Sequence, residues 1–355
     1  MTNIRYKYLP QMQEYDFAGQ DFVLYSMFTQ KKLFSSDCIN TDRFGFRYSK
    51  YKNENISVET ELYSNDKVNI LIGGSTVFGV GSTNDDNTIS SYLSESTGEK
   101  WINIGIRAGN SFQEYITLLK ILNKFKNIGN IVFMSGINDI YLSFLESDSN
   151  SIDDTIFGGK DLKSFLDQYN ISRYSLKRKI VVRLISFFKR MEVKDIIHLK
   201  SISEMVRFKR NVDQGKLPSI QSKEKNYFKD IFDRNFLLYS SLNKSLVDTK
   251  VTFCLQPFFN WIGKKINQKE QEIFNYLENI QKNENIVIMN KIDNNLYEAT
   301  IKELNLLSEK YNYTYYDLNK EDFGNEDKFT FVDRVHMTDE GNQISANAIR
   351  GILYP

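Results

Sequence analysis

One serine, Ser75, lies at a position in the sequence that suits covalent chemistry. Ser75 directly follows Gly73 and Gly74, which end the apolar run 68–72. An apolar run that ends in glycines is typical of a buried parallel strand leading into a tight turn. A serine on such a turn projects from the carboxyl end of its strand, the edge where open α/β sheets bind ligands. Ser75 is therefore a candidate nucleophile, although Gly-Gly-Ser is also an ordinary turn sequence.

Only two histidines are available as a base for this serine. His198 lies among apolar residues in a strongly basic segment, and we interpret it as structural. His336 follows Asp333 by three residues and precedes a final helix for which Thr338 is the predicted N-cap. That spacing lets the carboxylate bind one imidazole nitrogen while the other faces outward. Because such an aspartate fixes the tautomer and stabilises the imidazolium, the pair is a candidate acid–base system.

Acyl transfer from a serine also requires hydrogen-bond donors directed at the developing oxyanion. Three donors follow predicted strands: the backbone N–H of Ser75, the backbone N–H of Gly109 and the side-chain amide of Asn138. Glycine and asparagine are also common in turns for conformational reasons alone. Since all three lie at the carboxyl end of a strand, we predict that they form an oxyanion hole.

Three other charged residues are candidates for binding substrate, namely Arg43, Arg47 and Asp139. The two arginines could bind an anionic group, or they could be solvated or salt-bridged. Asp139 directly follows the candidate oxyanion residue Asn138.

The elements that must position these residues alternate between strands and helices. Apolar runs at 68–72, 101–106 and 131–134 are each followed by a glycine-bearing turn and a helical pattern. Further strands are predicted at 251–255 and 313–318. This alternation predicts an α/β fold, a three-layer α/β/α sandwich around a doubly wound parallel sheet.

The length of 355 residues suits one enlarged domain or two modest ones. We predict an N-terminal extension, 1–64, packed on a core formed by 65–145 and 248–355. Between the two core segments, 146–247 reads as a helical insertion. Its stretch 171–210 is strongly basic, with apolar residues at helical spacing. That stretch could contact a membrane surface, cover the substrate, or pack on the core with its charges in water.

Composition narrows the classes of function. The 46 basic and 45 acidic residues nearly cancel, which disfavours general nucleic-acid binding. Two cysteines and two histidines cannot supply a usual zinc site. Acyl transfer by a serine requires no metal and no organic cofactor, so we predict none. The sequence shows no signal peptide and no run of about 20 apolar residues, from which we expect a cytoplasmic protein.

Four motifs in this sequence resemble those of the SGNH, or GDSL-like, hydrolases. They occur in the family's order, at 73–76, 103–109, 136–139 and 333–336. The chain departs from the family at Gly74, where an aspartate usually precedes the serine. Segment 40–47 and the long insertion also resemble a bacterial subgroup associated with surface polysaccharide biosynthesis, which implies acylated sugars as substrates.

The resemblance implies a role for each candidate residue. Ser75 is the nucleophile, His336 the general base and Asp333 its orienting acid, while Gly109 and Asn138 complete the oxyanion hole. The implied fold is the flavodoxin-like form of the sandwich. The order Ser, Asp, His also occurs in α/β-hydrolases, but the missing Gly-x-Ser-x-Gly motif and the short Asp-to-His spacing favour the SGNH family.

The expected function is that of a serine esterase acting through an acyl-Ser75 intermediate. Its expected substrates are O-acyl, above all O-acetyl, groups on a carbohydrate or glycoconjugate. Two alternatives stay open. The same site could act as an O-acyltransferase if water is excluded from it, or the scaffold could be a non-catalytic protein that binds carbohydrate or a membrane surface. The sequence leaves the oligomeric state open.

Overall fold

The computed structural model describes residues 3–23, 27–145, 224–280 and 283–355. The helices are α1 Ile4–Tyr8, α2 Met12–Phe17, α3 Val58–Glu61, α4 Ser75–Phe78, α5 Ile89–Thr97, α6 Ser111–Leu122, α7 Ile137–Leu145, α8 Glu224–Ser245, α9 Gln268–Ile280, α10 Asn283–Lys291, α11 Asn294–Tyr311 and α12 Asp339–Leu353. The strands are β1 Gln20–Val23, β2 Met27–Gln30, β3 Ser49–Tyr51, β4 Glu54–Ile56, β5 Val68–Gly73, β6 Lys100–Gly105, β7 Ile128–Ser135, β8 Lys250–Leu255 and β9 Tyr315–Asp317.

Strands β5 to β9 form a parallel sheet in the order β6–β5–β7–β8–β9. Counted along the chain this order is 2-1-3-4-5, the doubly wound order of flavodoxin-like folds. Every residue of β5 is buried, as expected of a parallel strand with helices on both faces. The predicted doubly wound α/β fold is therefore confirmed, and each strand lies within a few residues of its predicted position.

Helices cover both faces of this sheet. On one face Phe236 and Tyr239 of α8 pack against Phe253 of β8, and Tyr239 stacks on Phe133 of β7 with ring centroids 4.3 Å apart. On the other face Leu71 of β5 shares a buried core with residues of α5, α9 and α12. The result is the three-layer sandwich that the sequence predicts.

Helix α8 belongs to the core, although the sequence pattern placed it within the insertion 146–247. From Phe228 onward it is part of the same compact unit as the sheet. Its residues Phe232, Phe236 and Tyr239 are buried and recur at spacings of four and three residues, so they form one apolar stripe that covers the sheet. The predicted end of the insertion was therefore wrong.

A second unit comprises residues 145–227, of which 146–223 lie outside the described residues. The helical character of the insertion, its basic stretch 171–210 and the role of His198 all fall there and stay predictions. Within the described ranges, no helix has the length and apolar character needed to cross a membrane.

The N-terminal segment packs on the core close to the end of β5. Leu9 and Met12 join the buried cluster of the sandwich. The hydroxyl of Tyr15 donates to the carbonyl oxygens of Gly79 and Ser82, at 2.8 and 2.9 Å. Helix α1 packs against α9, which brings the first turn of the chain to the edge of the sheet where the candidate site lies.

Candidate active site

Ser75 begins α4 directly after the end of β5. Gly74 is its N-cap in extended conformation, and Gly73 is the last residue of the strand. A Cβ on Gly73 would lie 2.2 Å from the carbonyl oxygen of Met134 in the adjacent strand, so only glycine permits this approach. Helix α4 ends at Gly79, whose φ of 89° lies in the left-handed region. These glycines hold the serine on a short turn at the carboxyl end of β5.

Ser75, His336 and Asp333 form a continuous hydrogen-bonded array. Ser75 Oγ lies 2.7 Å from His336 Nε2. His336 Nδ1 lies 2.8 Å from Asp333 Oδ2 and 3.0 Å from Oδ1. With the proton on Nδ1 bound by the carboxylate, Nε2 is the acceptor for the serine hydroxyl, and this is the arrangement that activates a serine nucleophile. The structure thus brings together the three residues that the sequence nominated for catalysis.

The Asp333 carboxylate is held by donors from its own loop. Its Oδ1 accepts the backbone N–H of Val335 at 2.9 Å and that of His336 at 2.8 Å. Arg5 Nη2 lies 3.6 Å from Oδ2. Burial alone would raise the pKa of Asp333, but the charge and hydrogen bonds of His336, together with the charge of Arg5, hold that pKa well below its ordinary value. Asp333 is therefore an anion throughout the neutral pH range.

Arg5 brings helix α1 into the site. Its Nη1 lies 3.1 Å from both carboxylate oxygens of Asp16, and the hydroxyl of Tyr6 donates to the same carboxylate at 2.9 Å. The Arg5 side chain is only 11% exposed, so its guanidinium is fixed between Asp16 and Asp333. Sequence reasoning missed Arg5, because nothing in the local pattern indicates that the two ends of the chain meet.

Asn138 lies beside the serine turn, as the oxyanion prediction requires. Its Nδ2 donates to the carbonyl oxygen of Gly109 at 2.7 Å, which leaves the second N–H of the amide for a ligand. A Cβ on Gly74 would lie 2.8 Å from this nitrogen. The departure from the SGNH pattern at position 74 therefore has a local consequence, because the missing side chain gives the Asn138 amide room against the turn.

The two backbone donors differ from each other. Among the described residues the N–H of Ser75 has no acceptor, so it is available to an oxyanion. The N–H of Gly109 is bound within a turn to the carbonyl oxygen of Ile106 at 3.3 Å. Gly109 lies at the predicted place, but its N–H must share or leave that long hydrogen bond before it can stabilise a reacting carbonyl.

A network of buried side chains lies behind these donors. Ser111 Oγ donates to Asp139 Oδ1 at 2.8 Å and accepts from Asn235 Nδ2 at 2.7 Å. Ser135 Oγ donates to Glu114 Oε1 at 3.0 Å. Asp139 is 2% exposed and links the first turn of α6 to α7, so the prediction that it contacts substrate was wrong. The other members were missed, because each is an ordinary polar residue on a helix or strand.

The two arginines proposed as substrate ligands have other partners. Arg47 is fully buried, with Nε 2.7 Å from Asp85 Oδ1 and its remaining nitrogens bound to the Tyr15 hydroxyl and three backbone carbonyls. It joins the N-terminal segment to the end of α4, and the prediction of a substrate contact was wrong. The Arg43 side chain is 58% exposed and pairs with Glu59 at 3.3 Å, and no described contact joins it to the triad.

These groups together can carry out nucleophilic acyl transfer. A serine with a histidine base, an orienting carboxylate and two available oxyanion donors supplies every role that such chemistry needs. Among the described residues, no group of three or more histidines, cysteines, aspartates or glutamates could hold a metal ion.

Comparison with solved structures gives matches at low sequence identity. An acetyl xylan esterase is 15% identical, covering 81% of this chain and 98% of its own, with a TM-score of 0.37. A carbohydrate acetylesterase from Sinorhizobium meliloti is 10% identical, covering 81% and 98%, with a TM-score of 0.40. An acetyl xylan esterase from Geobacillus stearothermophilus is 11% identical, covering 83% and 97%, with a TM-score of 0.35. At such TM-scores the fold is assigned from the strand order instead. No protein-family model and no curated protein sequence matches the chain.

Proposed function

We propose that this chain is a serine ester hydrolase of the SGNH type that removes O-acyl groups from a carbohydrate or glycoconjugate. One observation carries the proposal: Ser75 Oγ, the His336 imidazole and the Asp333 carboxylate are joined at 2.7 and 2.8 Å. Ser75 is partly exposed, so an ester can approach it. The choice of O-acetylated sugars is supported by the resemblance of segment 40–47 to the polysaccharide-associated subgroup.

Acylation begins when Ser75 Oγ attacks the ester carbonyl carbon and passes its proton to His336 Nε2. The carbonyl oxygen becomes an oxyanion, which the N–H of Ser75 and the amide of Asn138 stabilise. Asp333 stabilises the imidazolium formed at the same time. The tetrahedral intermediate then breaks its bond to the alcohol oxygen, which takes the proton from Nε2 and leaves an acyl-Ser75 ester.

Deacylation repeats these steps with water. A water molecule gives one proton to His336 Nε2 while its oxygen attacks the acyl carbon. The second tetrahedral intermediate releases the carboxylic acid, and the proton returns to Ser75 Oγ. One ester and one water are converted into one acid and one alcohol, and the serine is regenerated.

The experiment is a comparison of wild type with Ser75→Ala on p-nitrophenyl acetate and on a panel of O-acetylated sugars, with acetate release as the readout. We expect Ser75→Ala to lose at least about 10³-fold in kcat. The matched control is Ser64→Ala, since Ser64 precedes the amino end of β5, at the opposite edge of the sheet. Equal release by wild type and Ser75→Ala, or no release by either, would contradict the proposal.

The same assay separates hydrolysis from transfer. If a sugar acceptor is added and the acyl group appears on the sugar faster than acetate appears in solution, the protein is an O-acyltransferase using the same acyl-Ser75 ester. Excess acetate over transferred product supports the esterase.

A further inference from the structure

A groove of about 180 Å³ lies beside the loop that carries the catalytic aspartate and histidine. One wall is formed by residues 333–336 of this loop. The other is formed by α9 and α10, through Phe274, Leu277, Glu278, Ile286, Met289 and Asn290. The groove is smaller than the roughly 300 to 1,000 Å³ of typical ligand pockets, which suits one ring-sized group.

The position of the groove relative to the triad indicates which part of an ester would enter it. His336 lines the groove, whereas Ser75, Gly109 and Asn138 do not. In acylation the proton on His336 Nε2 goes to the leaving oxygen, while the carbonyl oxygen points at the oxyanion donors. A substrate group on the His336 side is therefore attached to the leaving oxygen, and it belongs to the alcohol and not to the acyl chain.

The base of the groove is apolar. Phe274 and Leu277 of α9 are 3% and 9% exposed, and Ile286 and Met289 of α10 are partly buried. Such a surface binds the C–H face of a ring by removing it from water.

The rim of the groove carries polar groups in fixed positions. Arg334 Nη1 binds Asn260 Oδ1 at 2.6 Å, and its Nη2 pairs with Glu278 Oε1 at 2.5 Å. The guanidinium lies over the ring of Phe274, 5.6 Å from its centroid. The side chains of Arg334 and Glu278 keep solvent contact and are 27% and 37% exposed. Because a guanidinium has five N–H donors and a carboxylate accepts on two oxygens, the pair retains capacity for ligand hydroxyls.

We infer that this groove is the subsite for the alcohol part of the substrate, and that its occupant is a single sugar ring. The apolar base meets the C–H face of the ring, while Arg334 and Glu278 bind the hydroxyls at its edge. An alkyl acyl chain would satisfy the base but leave this polar rim unused. The inference rests on the proposed function and names the alcohol that the site selects.

The test uses Met289→Trp, which fills the groove from α10, and Arg334→Gln, which removes the positive charge at the rim. Substrates are a mono-O-acetylated methyl glycoside, methyl acetate and the methyl esters of longer acids. We expect each variant to lower the ratio of kcat/KM for the glycoside to that for methyl acetate by about tenfold, mainly through KM. The controls are Leu306→Trp and Arg350→Gln, both at exposed positions on other helices.

A changed preference among the methyl esters in Met289→Trp would assign the groove to the acyl chain and overturn the inference. The inference is also overturned if the ratio of kcat/KM for the glycoside to that for methyl acetate is unchanged in both variants.

Direct binding of the acetylated glycoside to Ser75→Ala, measured by calorimetry, keeps the subsite separate from turnover. We expect Ser75→Ala/Met289→Trp to bind it about tenfold more weakly than Ser75→Ala. Equal binding by the two, or no binding by Ser75→Ala, overturns the subsite. An inactive wild type that still binds the glycoside contradicts the esterase function alone.

Discussion

Two carboxyl groups at the same end of the sheet, those of Asp333 and Glu114, have pKa values that are shifted in opposite directions. In the loop before α12, Asp333 accepts two backbone N–H groups and the His336 imidazole, with Arg5 nearby, and its pKa is lowered. In the interior behind the oxyanion donors, Glu114 has no exposed surface. Burial, together with the charge of Asp139, raises the pKa of Glu114 well above its ordinary value.

The difference lies in the supply of donors. Every oxygen of Asp333 has a partner, whereas Glu114 Oε2 and Asp139 Oδ2 have none among the described residues. A buried carboxylate oxygen without a donor is costly, so a proton on Glu114 both removes a charge and creates a donor. The negative charge of Asp333 is therefore needed for activity, whereas a negative charge on Glu114 would destabilise the fold. A neutral replacement should lower kcat at Asp333 and raise stability at Glu114.

Asp333→Asn should cause the greatest loss of activity. It removes the charge that stabilises the imidazolium and the acceptor that fixes the tautomer of His336, so we expect kcat to fall by about 10³- to 10⁴-fold. The measurement is the initial rate on p-nitrophenyl acetate, with circular dichroism to show that the fold is kept. A variant that stays within tenfold of wild type would show that the Asp333 charge is not required.

The next effect concerns the oxyanion donors in front of Glu114. Asn138→Ala removes a side-chain amide and leaves the triad intact, so we expect kcat to fall by about 10²- to 10³-fold with a smaller change in KM. Steady-state kinetics on the same ester provide the readout. If KM rises while kcat is kept, Asn138 binds the ground state and the transition state equally and is not a selective oxyanion donor.

Glu114→Gln replaces the buried carboxyl group by a neutral amide. A raised folded-state pKa means that, above about pH 4.3, the unfolded chain loses a proton that the folded protein keeps. Wild-type stability therefore falls as pH rises through that window, by at most about 1.4 kcal/mol per pH unit for this group. Glutamine can still accept from Ser135 and carries no charge to bury. Urea unfolding at pH 4.5, 6 and 8 should show an advantage of Glu114→Gln that grows with pH, and an advantage that shrinks would reverse the assignment.

The smallest effect concerns Arg5. Its ion pair with Asp333 spans 3.6 Å and supplements donors that are already present, so we expect a coupling free energy below about 1 kcal/mol. A double-mutant cycle of Arg5→Gln and Asp333→Asn, measured by urea unfolding, gives this number. Zero coupling would remove Arg5 from the groups that stabilise the Asp333 anion.

The triad was predictable because its members lie in loops next to strands and helices that the sequence pattern identifies. Ser75 follows the first sheet strand, Asn138 follows the third, and both Asp333 and His336 precede the last helix. In a doubly wound sheet these positions converge on one edge, so motif and topology together predicted the contact between distant residues.

Other features depend on tertiary contacts that no local pattern encodes. Arg47 looked like an anion ligand, but its partners come from four separate stretches of the N-terminal third of the chain, including Tyr15 and Asp85. The aromatic stripe of α8 has the same helical spacing whether it covers a sheet or belongs to an insertion. The hydrogen bond from the N–H of Gly109 to the carbonyl oxygen of Ile106 depends on the backbone conformation of the turn, which the presence of a glycine does not predict.

The proposed hydrolysis depends on activation of the Ser75 nucleophile by His336. The most direct test is labelling with a fluorophosphonate, followed by peptide mass spectrometry of wild type, Ser75→Ala and His336→Ala. We expect one adduct on Ser75 in wild type, none in Ser75→Ala, and labelling slowed by about 10²-fold or more in His336→Ala, because the base is gone. Labelling at another residue, or an unchanged rate in His336→Ala, would contradict this activation.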